Sequence, residues 1–222
     1  QGHDVVEFIS GNTELQPPDT PLLEELFKAA PQKRSVEEWL EHIRSRVDVL
    51  TDVSPLQMRE FLLASTIHYK KPGELVVKRN DIGSSVFAIV DGSVAVEVDA
   101  KDKRKTVPIA GGNIFGELGL ISGRRRTTTA AEPTMLLEIP RNATLKLMAS
   151  VPGVKRRMER ISTERQVGQI FGQLLPRKAI NEILDGAELL HFKAGEALIS
   201  EGERSTDIYI IRSGSVVVEK HI

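Results

Sequence analysis

This sequence contains no cysteine, and several other common features are scarce. Without cysteine the chain can form no disulfide, no thiolate metal site and no cysteine nucleophile, which suits a reducing compartment such as the cytoplasm. No run approaches the roughly 18 apolar residues that cross a bilayer, so we expect no membrane span. The formal net charge is only −1, so the chain lacks the basic field that gathers nucleic acid. The sequence therefore predicts a cytoplasmic protein that builds any anion site locally.

Sequence signals for an enzyme are also missing. The five histidines are scattered without the spacing of metal ligands. The sequence has no Gly-x-Ser-x-Gly elbow of a hydrolase and no phosphate-binding Gly-Lys-Ser or Gly-Lys-Thr. We expect no catalytic residue, no metal and no required cofactor, with a cupin-like metal enzyme as a remote alternative. The start at Gln1 rather than Met suggests a tag remnant or a piece of a longer polypeptide.

The remaining patterns predict helices on both sides of a β region. Pro17 to Pro21 indicates an extended linker, and Ser35 with Glu38 forms a capping box that opens an amphipathic helix. A second helix is expected from Pro55 to Ser65. Strand-like runs then occupy 74–78, 86–90, 93–98 and 106–109, and helical patterns return at 144–148 and from 154 to about 175.

Two turn signals and an internal repeat accompany these strands. Asp91-Gly92 predicts a tight type I′ hairpin, and residues 99–105 read as a polar hairpin tip. Part of the chain recurs without a gap at an offset of 122 positions (195 minus 73), which indicates a second copy with its own strands. The matches are Gly73-Glu74 with Gly195-Glu196, Gly92-Ser93-Val94 with Gly214-Ser215-Val216, and Val96-Glu97 with Val218-Glu219. The second copy stops early and leaves unpaired edges, so a C-terminal remainder, strand exchange or local disorder is expected.

The stretch from residue 111 to 131 suits a compact phosphate monoanion. Gly116 allows close approach of the backbone at the start of a predicted helix over 115–120, where unpaired N–H groups point outward. Arg126 follows on a loop, and its guanidinium can bond a phosphate oxygen while a second acceptor holds it. Glu117 is unexpected beside an anion. It is either an ordinary first-turn helix residue or an acceptor for a ligand hydroxyl.

The same stretch resembles the phosphate-binding cassette of the cyclic-nucleotide-binding domain family. Phe115-Gly116-Glu117-Leu118 resembles the family's short helix, and Arg126-Thr127 resembles its Arg followed by a small residue. Arg124 and Arg125 depart from the pattern, because a small residue or Pro usually precedes the key Arg. The resemblance implies an α+β fold, an antiparallel β-roll flanked by helices and followed by the start of a second β-roll. The implied domains are 1–53 (linker and helices), 54–175 (β-roll domain) and 176–222 (incomplete second roll).

The resemblance also implies a ligand and the residues that hold it. Cyclic AMP is the first choice and cyclic GMP a close second. Arg126 would bind the phosphate, Glu117 would accept from the ribose 2′-hydroxyl, and Thr127 would donate to the phosphate or the base. Val96, Val98 and Leu118 suit an apolar wall for ribose and base, although each also suits plain core. The full set of implied ligand-binding residues is Phe115, Gly116, Glu117, Leu118, Arg126, Thr127, Thr128 and Val96.

A regulatory binding module follows from the resemblance. Helices over 141–175 would move on binding and act on an effector of unknown identity, with residues 1–50 as a connecting piece. The residue that caps the base stays open among Arg156, Arg157, Met158, Arg160 and Ile161. Direct DNA binding is not expected, because a second copy begins where related transcription regulators carry a helix-turn-helix. A homodimer through the helices or the incomplete roll, and a nucleotide-free interaction scaffold, remain alternatives.

Overall fold

Helices form the N-terminal part of the structure, a computed structural model that describes residues 17–81, 85–98, 102, 105–122, 127–172, 174–204 and 206–219. These elements are α1 (Thr20–Phe27), α2 (Val36–Arg46), a short 3-10 helix (Asp48–Leu50) and α3 (Pro55–Leu63). The predicted capping box is confirmed, since the Ser35 hydroxyl accepts from Glu38 N–H and the Glu38 carboxylate accepts from Ser35 N–H. The linker predicted over Pro17 to Pro21 is wrong at its end: α1 begins at Thr20, because Pro21 fits a first helical turn that needs no N–H there.

Eight strands follow and form two antiparallel sheets. They are β1 (Thr66–Lys70), β2 (Leu75–Val77), β3 (Val86–Asp91), β4 (Ser93–Glu97), β5 (Thr106–Ala110), β6 (Ile114–Phe115), β7 (Thr128–Ala130) and β8 (Thr134–Ile139). The strand orders are β1-β8-β3-β6 and β2-β7-β4-β5. Every pairing among these strands joins the front half, β1–β4, to the back half, β5–β8. The predicted α+β fold with an antiparallel β-roll is confirmed.

The core has two layers that meet at β3. Alternate β3 residues point to opposite faces of the sheet. Val86, Ala88 and Val90 pack with the helices in a large cluster that also contains Trp39. Phe87 and Ile89 pack in a smaller cluster between the two sheets. Burial on both faces explains why β3 is apolar throughout rather than alternating.

The hairpin predicted at Asp91-Gly92 is wrong, because β3 and β4 belong to different sheets. Asp91 is the last residue of β3, and Gly92 alone takes the left-handed conformation with φ 85°. A Cβ at Gly92 would lie 2.4 Å from the Pro133 carbonyl oxygen. Asp91-Gly92 does mark a turn, as predicted, but this turn connects β3 in one sheet to β4 in the other. The partners that decide this, β5 and β7, lie later in the sequence.

Four further helices complete the described secondary structure. They are α4 (Glu117–Ser122), α5 (Arg141–Ser150), α6 (Pro152–Phe171) and α7 (Arg177–Gly186). The helices predicted over 144–148 and from 154 are confirmed, with earlier starts. Helix α6 packs against α5, α7 and the 3-10 helix and also touches α4, so one long helix contacts the cassette region, the N-terminal helical part and α7.

Residues 177–219, here the repeat segment, reproduce the local geometry of residues 55–97. Helix α7 stands at the position of α3. Lys193 N–H donates to the Glu196 carboxylate at 2.6 Å, as Lys71 N–H does to Glu74 at 2.9 Å. Left-handed turn residues also correspond: Gly73 (φ 82°) with Gly195 (83°), Asn80 (66°) with Gly202 (85°), and Gly92 (85°) with Gly214 (87°).

The strands expected in the repeat segment do not form over 187–204 and 206–219, which have no regular secondary structure. The topology of the first roll explains this. Its front-half strands pair only with the back half, and the repeat segment carries counterparts of the front half alone.

Candidate functional site

The candidate site begins where β6 passes into α4. Gly116 makes this turn with φ 85°, and a Cβ there would lie 3.0 Å from the Ser85 carbonyl oxygen. A side chain is therefore disfavoured by both conformation and space. Helix α4 begins at Glu117, two residues later than predicted, because Phe115 belongs to β6 and pairs with Phe87. Glu117 consequently occupies the first residue of α4.

Glu117 is a buried carboxylate with one oxygen paired and one unpaired. Its side chain is 2% exposed, and its Oε2 accepts from Arg165 Nη1 at 2.6 Å. Arg165 Nη2 donates to the Ile114 carbonyl oxygen, also at 2.6 Å. The other oxygen, Oε1, has no hydrogen-bond partner among the described residues. Because an unpaired buried acceptor costs about 1–3 kcal/mol, Oε1 is the atom here that most needs a donor.

Phe115 and Val96, two of the predicted ligand-binding residues, meet in the apolar cluster between the sheets. Phe115 is buried and stacks on Phe87, with ring centroids 5.0 Å apart. Val96 is half-buried and packs against the same cluster. The structure therefore gives the Phe115 ring a packing position, while Val96 keeps part of its surface accessible.

Thr128 is the first residue of β7, and Thr127 immediately precedes this strand. Val96 and Thr128 are direct partners in the β4–β7 pairing, and Glu97 N–H donates to the Thr127 carbonyl oxygen at 2.9 Å. Thr128 is buried, whereas Thr127 is half-buried. Leu118, the next residue on α4 after Glu117, is also half-buried. Leu118 and Thr128 thus lie in regular secondary structure, in α4 and β7.

The predicted phosphate ligand Arg126 lies outside the described residues, as do its neighbours Arg124 and Arg125. Its role stays a prediction. Before it along the chain, α4 ends at Ser122, and after it β7 begins at Thr128. Arg141, at the start of α5, also donates to the Leu120 carbonyl oxygen near the end of α4.

Helix α6 makes ion pairs to three other parts of the molecule. Arg165 binds Glu117 in the cassette. Arg157 binds Asp52, between the 3-10 helix and α3, at 2.9 Å, and this hydrogen bond lowers the pKa of the Asp52 carboxyl. Arg160 binds Asp185 of α7 at 3.3 Å. A shift of α6 would therefore disturb ion pairs with the cassette, with the segment between the 3-10 helix and α3, and with α7.

Sequence reasoning did not single out Arg165, since the residues it named in this helix lie between 156 and 161. A signal was available, because Val154, Met158 and Arg165 fall on one face at helical spacing. Val154 and Met158 are buried. A cation that continues a buried stripe needs an anionic or carbonyl partner, and Arg165 has both.

Two kinds of feature are absent from the described ranges of the chain. There, no group of three or more His, Cys, Asp or Glu side chains could hold a metal ion. None of the described helices combines the length and the apolar character that crossing a bilayer requires.

Residues 67–151 match the family model described as the cyclic nucleotide-binding domain. These residues form a cyclic nucleotide-binding domain. The resemblance read from the cassette is confirmed, and the match runs from β1 to the residue after α5. Helix α6, with Arg165, lies just beyond the matched range.

Known relatives of this domain include protein kinases. The chain is 30% identical over 154 residues to a cGMP-dependent protein kinase of Eimeria tenella, covering 67% of this chain and 14% of the relative. It is 28% identical over 174 residues to the Drosophila melanogaster cGMP-dependent protein kinase, isozyme 2, covering 77% and 15%. The chain thus spans about a seventh of the length of these relatives.

A solved structure shares the fold of the cyclic nucleotide-binding domain. The sensor domain of the transcriptional regulator DNR from Pseudomonas aeruginosa superposes with a TM-score of 0.50 at 16% identity. The superposition covers 70% of this chain and 97% of that domain. The likeness concerns the fold alone.

Proposed function

We propose that this chain is a regulatory cyclic-nucleotide sensor that passes ligand occupancy through α6 to an effector. The cassette between β6 and β7 would hold the cyclic phosphate and ribose, with Arg126 on the phosphate and Glu117 on the 2′-hydroxyl. Thr127 would donate to the phosphate or base, and Val96 and Leu118 would line the apolar side. The ion pairs of α6 support the coupling, because they join the cassette to the helices around it.

The observation that carries this proposal is the buried, half-paired carboxylate of Glu117. An ionised side chain is rarely this buried without compensation. Arg165 compensates one oxygen, and Oε1 lacks a described partner. A ribose hydroxyl is a donor of the kind this atom needs, and it would approach from the same ligand whose phosphate the cassette attracts.

The choice of nucleotide rests on two considerations that point in different directions. The sequence ranks cyclic AMP ahead of cyclic GMP, whereas the relatives are named cGMP-dependent kinases. Those names support cyclic GMP as the ligand to titrate first and a protein kinase as the effector. Thr127 supplies a hydroxyl for either purine.

Calorimetric titration of both nucleotides tests the proposal, using the unmutated protein, Arg126→Glu and Arg124→Glu. We expect saturable binding to the unmutated protein and to Arg124→Glu. Arg126→Glu should bind at least about 100-fold more weakly, because a charge-assisted phosphate contact is replaced by a repulsion. Equal loss in both variants would contradict the assignment of Arg126. Absence of heat with either nucleotide in the unmutated protein would leave a nucleotide-free interaction module.

We also propose that the repeat segment is the front half of a second roll. The shared turn geometry and the matched position of α7 support it. Five of its apolar side chains are exposed where their counterparts in the first roll are buried: Ile199, Ile208, Tyr209, Ile211 and Val216. Strands equivalent to β5–β8, supplied by another stretch of polypeptide, would pair with it and cover these side chains.

A further inference from the structure

A cavity lies where α1 meets the start of α2, and it shares no lining residue with the cassette. Its volume is about 370 Å³, within the size range of cavities that hold small ligands. Phe27, Val36 and Trp39 supply apolar parts of its wall, and its cations include Lys33 and Arg34. We infer that this cavity binds a small organic carboxylate through Arg34. The inference goes beyond the proposed function and does not depend on it.

Arg34 carries a cation that lacks an acceptor. Its side chain is half-buried, and its Nη1 is buried without a hydrogen-bond partner among the described residues. The guanidinium lies over the Trp39 ring, with Cζ 4.6 Å from the ring centroid. The face of the ring stabilises the positive charge but gives Nη1 no lone pair. Because a buried donor left unpaired is costly, Nη1 needs an acceptor.

The carboxylates at the start of α2 do not supply that acceptor. The Glu38 carboxylate accepts from Ser35 N–H at 2.7 Å as part of the capping box. The Glu37 carboxylate accepts from Arg59 Nη1 at 2.9 Å. Both are therefore engaged elsewhere. Arg34 lines the cavity, so a small rotation of its guanidinium would present Nη1 to an acceptor that enters there.

Charge and the nature of the wall define the ligand. The planar guanidinium can hold a carboxylate with two parallel N–H groups. Glu24 and Glu37 also line the cavity, so a phosphate dianion would meet more repulsion than a carboxylate with one negative charge. The apolar wall favours a ligand with an apolar body over a bare inorganic anion. These features together select a small organic carboxylate.

Titration of four compounds into the unmutated protein tests the site: hexanoate, its neutral analogue hexanamide, acetate and inorganic phosphate. Calorimetry measures binding, and so does the fluorescence of Trp39, the only tryptophan of the sequence. We expect hexanoate to bind at least about 10-fold more tightly than each of the other three. Only hexanoate combines one negative charge with an apolar body of this length.

Variants of two arginines assign the charge contact, with calorimetry as the measurement. Arg34→Gln should reduce the preference for hexanoate over hexanamide from about 10-fold to below about 2-fold. Arg34→Lys keeps the charge without the fork and should give an intermediate preference. Arg44→Gln is the control, because Arg44 is a cation of the same helix that pairs with Glu41 outside the cavity. It should leave the preference unchanged.

Two outcomes in the unmutated protein would overturn the inference without depending on the folding of any variant. These are the absence of saturable hexanoate binding and equal affinities for hexanoate and hexanamide. Phosphate binding as tight as that of hexanoate would overturn the ligand class. A preference that survives in Arg34→Gln would overturn the role of Arg34. Cyclic-nucleotide titration concerns a different site, so each of these failures would leave the proposed function standing.

Discussion

Residues 55–97 and the repeat segment share their turns but differ in burial. Ile89 and Val94 are 0% exposed, whereas their counterparts Ile211 and Val216 are 50% and 47% exposed. Helix positions and left-handed glycines agree between the two regions. The difference in burial follows from the back half, β5–β8. Residues 55–97 pair with these strands, and the repeat segment does not. Local sequence is therefore sufficient for the turns, while burial depends on strands that lie elsewhere in the chain.

The largest effect is expected from exchanging the two regions. A chain in which residues 55–97 are replaced by the sequence of 177–219 should fold, because the transplanted strands then meet a back half. A scrambled version of the same transplanted sequence should lose cooperative folding altogether. Urea unfolding, followed by the fluorescence of the single tryptophan, Trp39, measures this. Unfolding of the true exchange at the same low urea as the scrambled chain would refute the second front half.

The isoleucines at equivalent positions, Ile89 and Ile211, test the difference in burial, with a smaller expected effect. Ile89→Ala should lower the free energy of unfolding by about 2–5 kcal/mol, because it leaves a cavity between the sheets. Ile211→Ala should change it by less than about 0.5 kcal/mol, since half of that side chain already faces solvent. Similar losses in the two variants, measured by urea unfolding, would show that the repeat segment is packed within this chain.

The smallest effect concerns an ion pair made just ahead of residues 55–97, at a position whose counterpart ahead of the repeat segment cannot make it. Arg157 lowers the pKa of Asp52 from its ordinary 3.8, and the residue at the equivalent position of the repeat is Leu174. A lowered carboxyl pKa gives stability that is present above the unfolded pKa and lost as the pH falls through the folded one. Asp52→Asn should therefore lower the melting temperature slightly at pH 7 and not at all once the pH is well below 3.8.

Thermal melts from pH 7 downward measure this difference. Both side chains of the pair are substantially exposed, so screening by solvent keeps the effect small. Asp185→Asn, which breaks the other exposed pair of α6, is the control. A gap between Asp52→Asn and the unmutated protein that persists at the lowest pH would mean that Asp52 acts through packing rather than charge.

The sequence predicted what is decided locally. The capping box at Ser35 depends on residues within one helical turn, and it is confirmed. The strands around 86–109 were found because apolar runs ended at clear turn signals. Glu117 was singled out because a carboxylate repels a bound anion unless it has another partner.

What the sequence did not predict depends on distant partners. Strand β1 forms because β8 lies beside it, and Phe115 is in a strand because β3 is its partner. The turn at Gly92 was assigned to a hairpin, because the residues around it do not determine which sheet β4 joins. That depends on β5 and β7, which lie later in the sequence. Arg165 escaped notice because its partner Glu117 lies on another element.

The pairing of front half with back half also governs the order in which the domain can be made. Thr66 at the start of β1 pairs with Glu138 near the end of β8, so the contact order is high and folding is expected to be slow. A ribosome delivers β1–β4 first, and their edges stay open until their partners among β5–β8 have been synthesised. During that interval the nascent domain exposes apolar positions whose counterparts are exposed in the repeat segment.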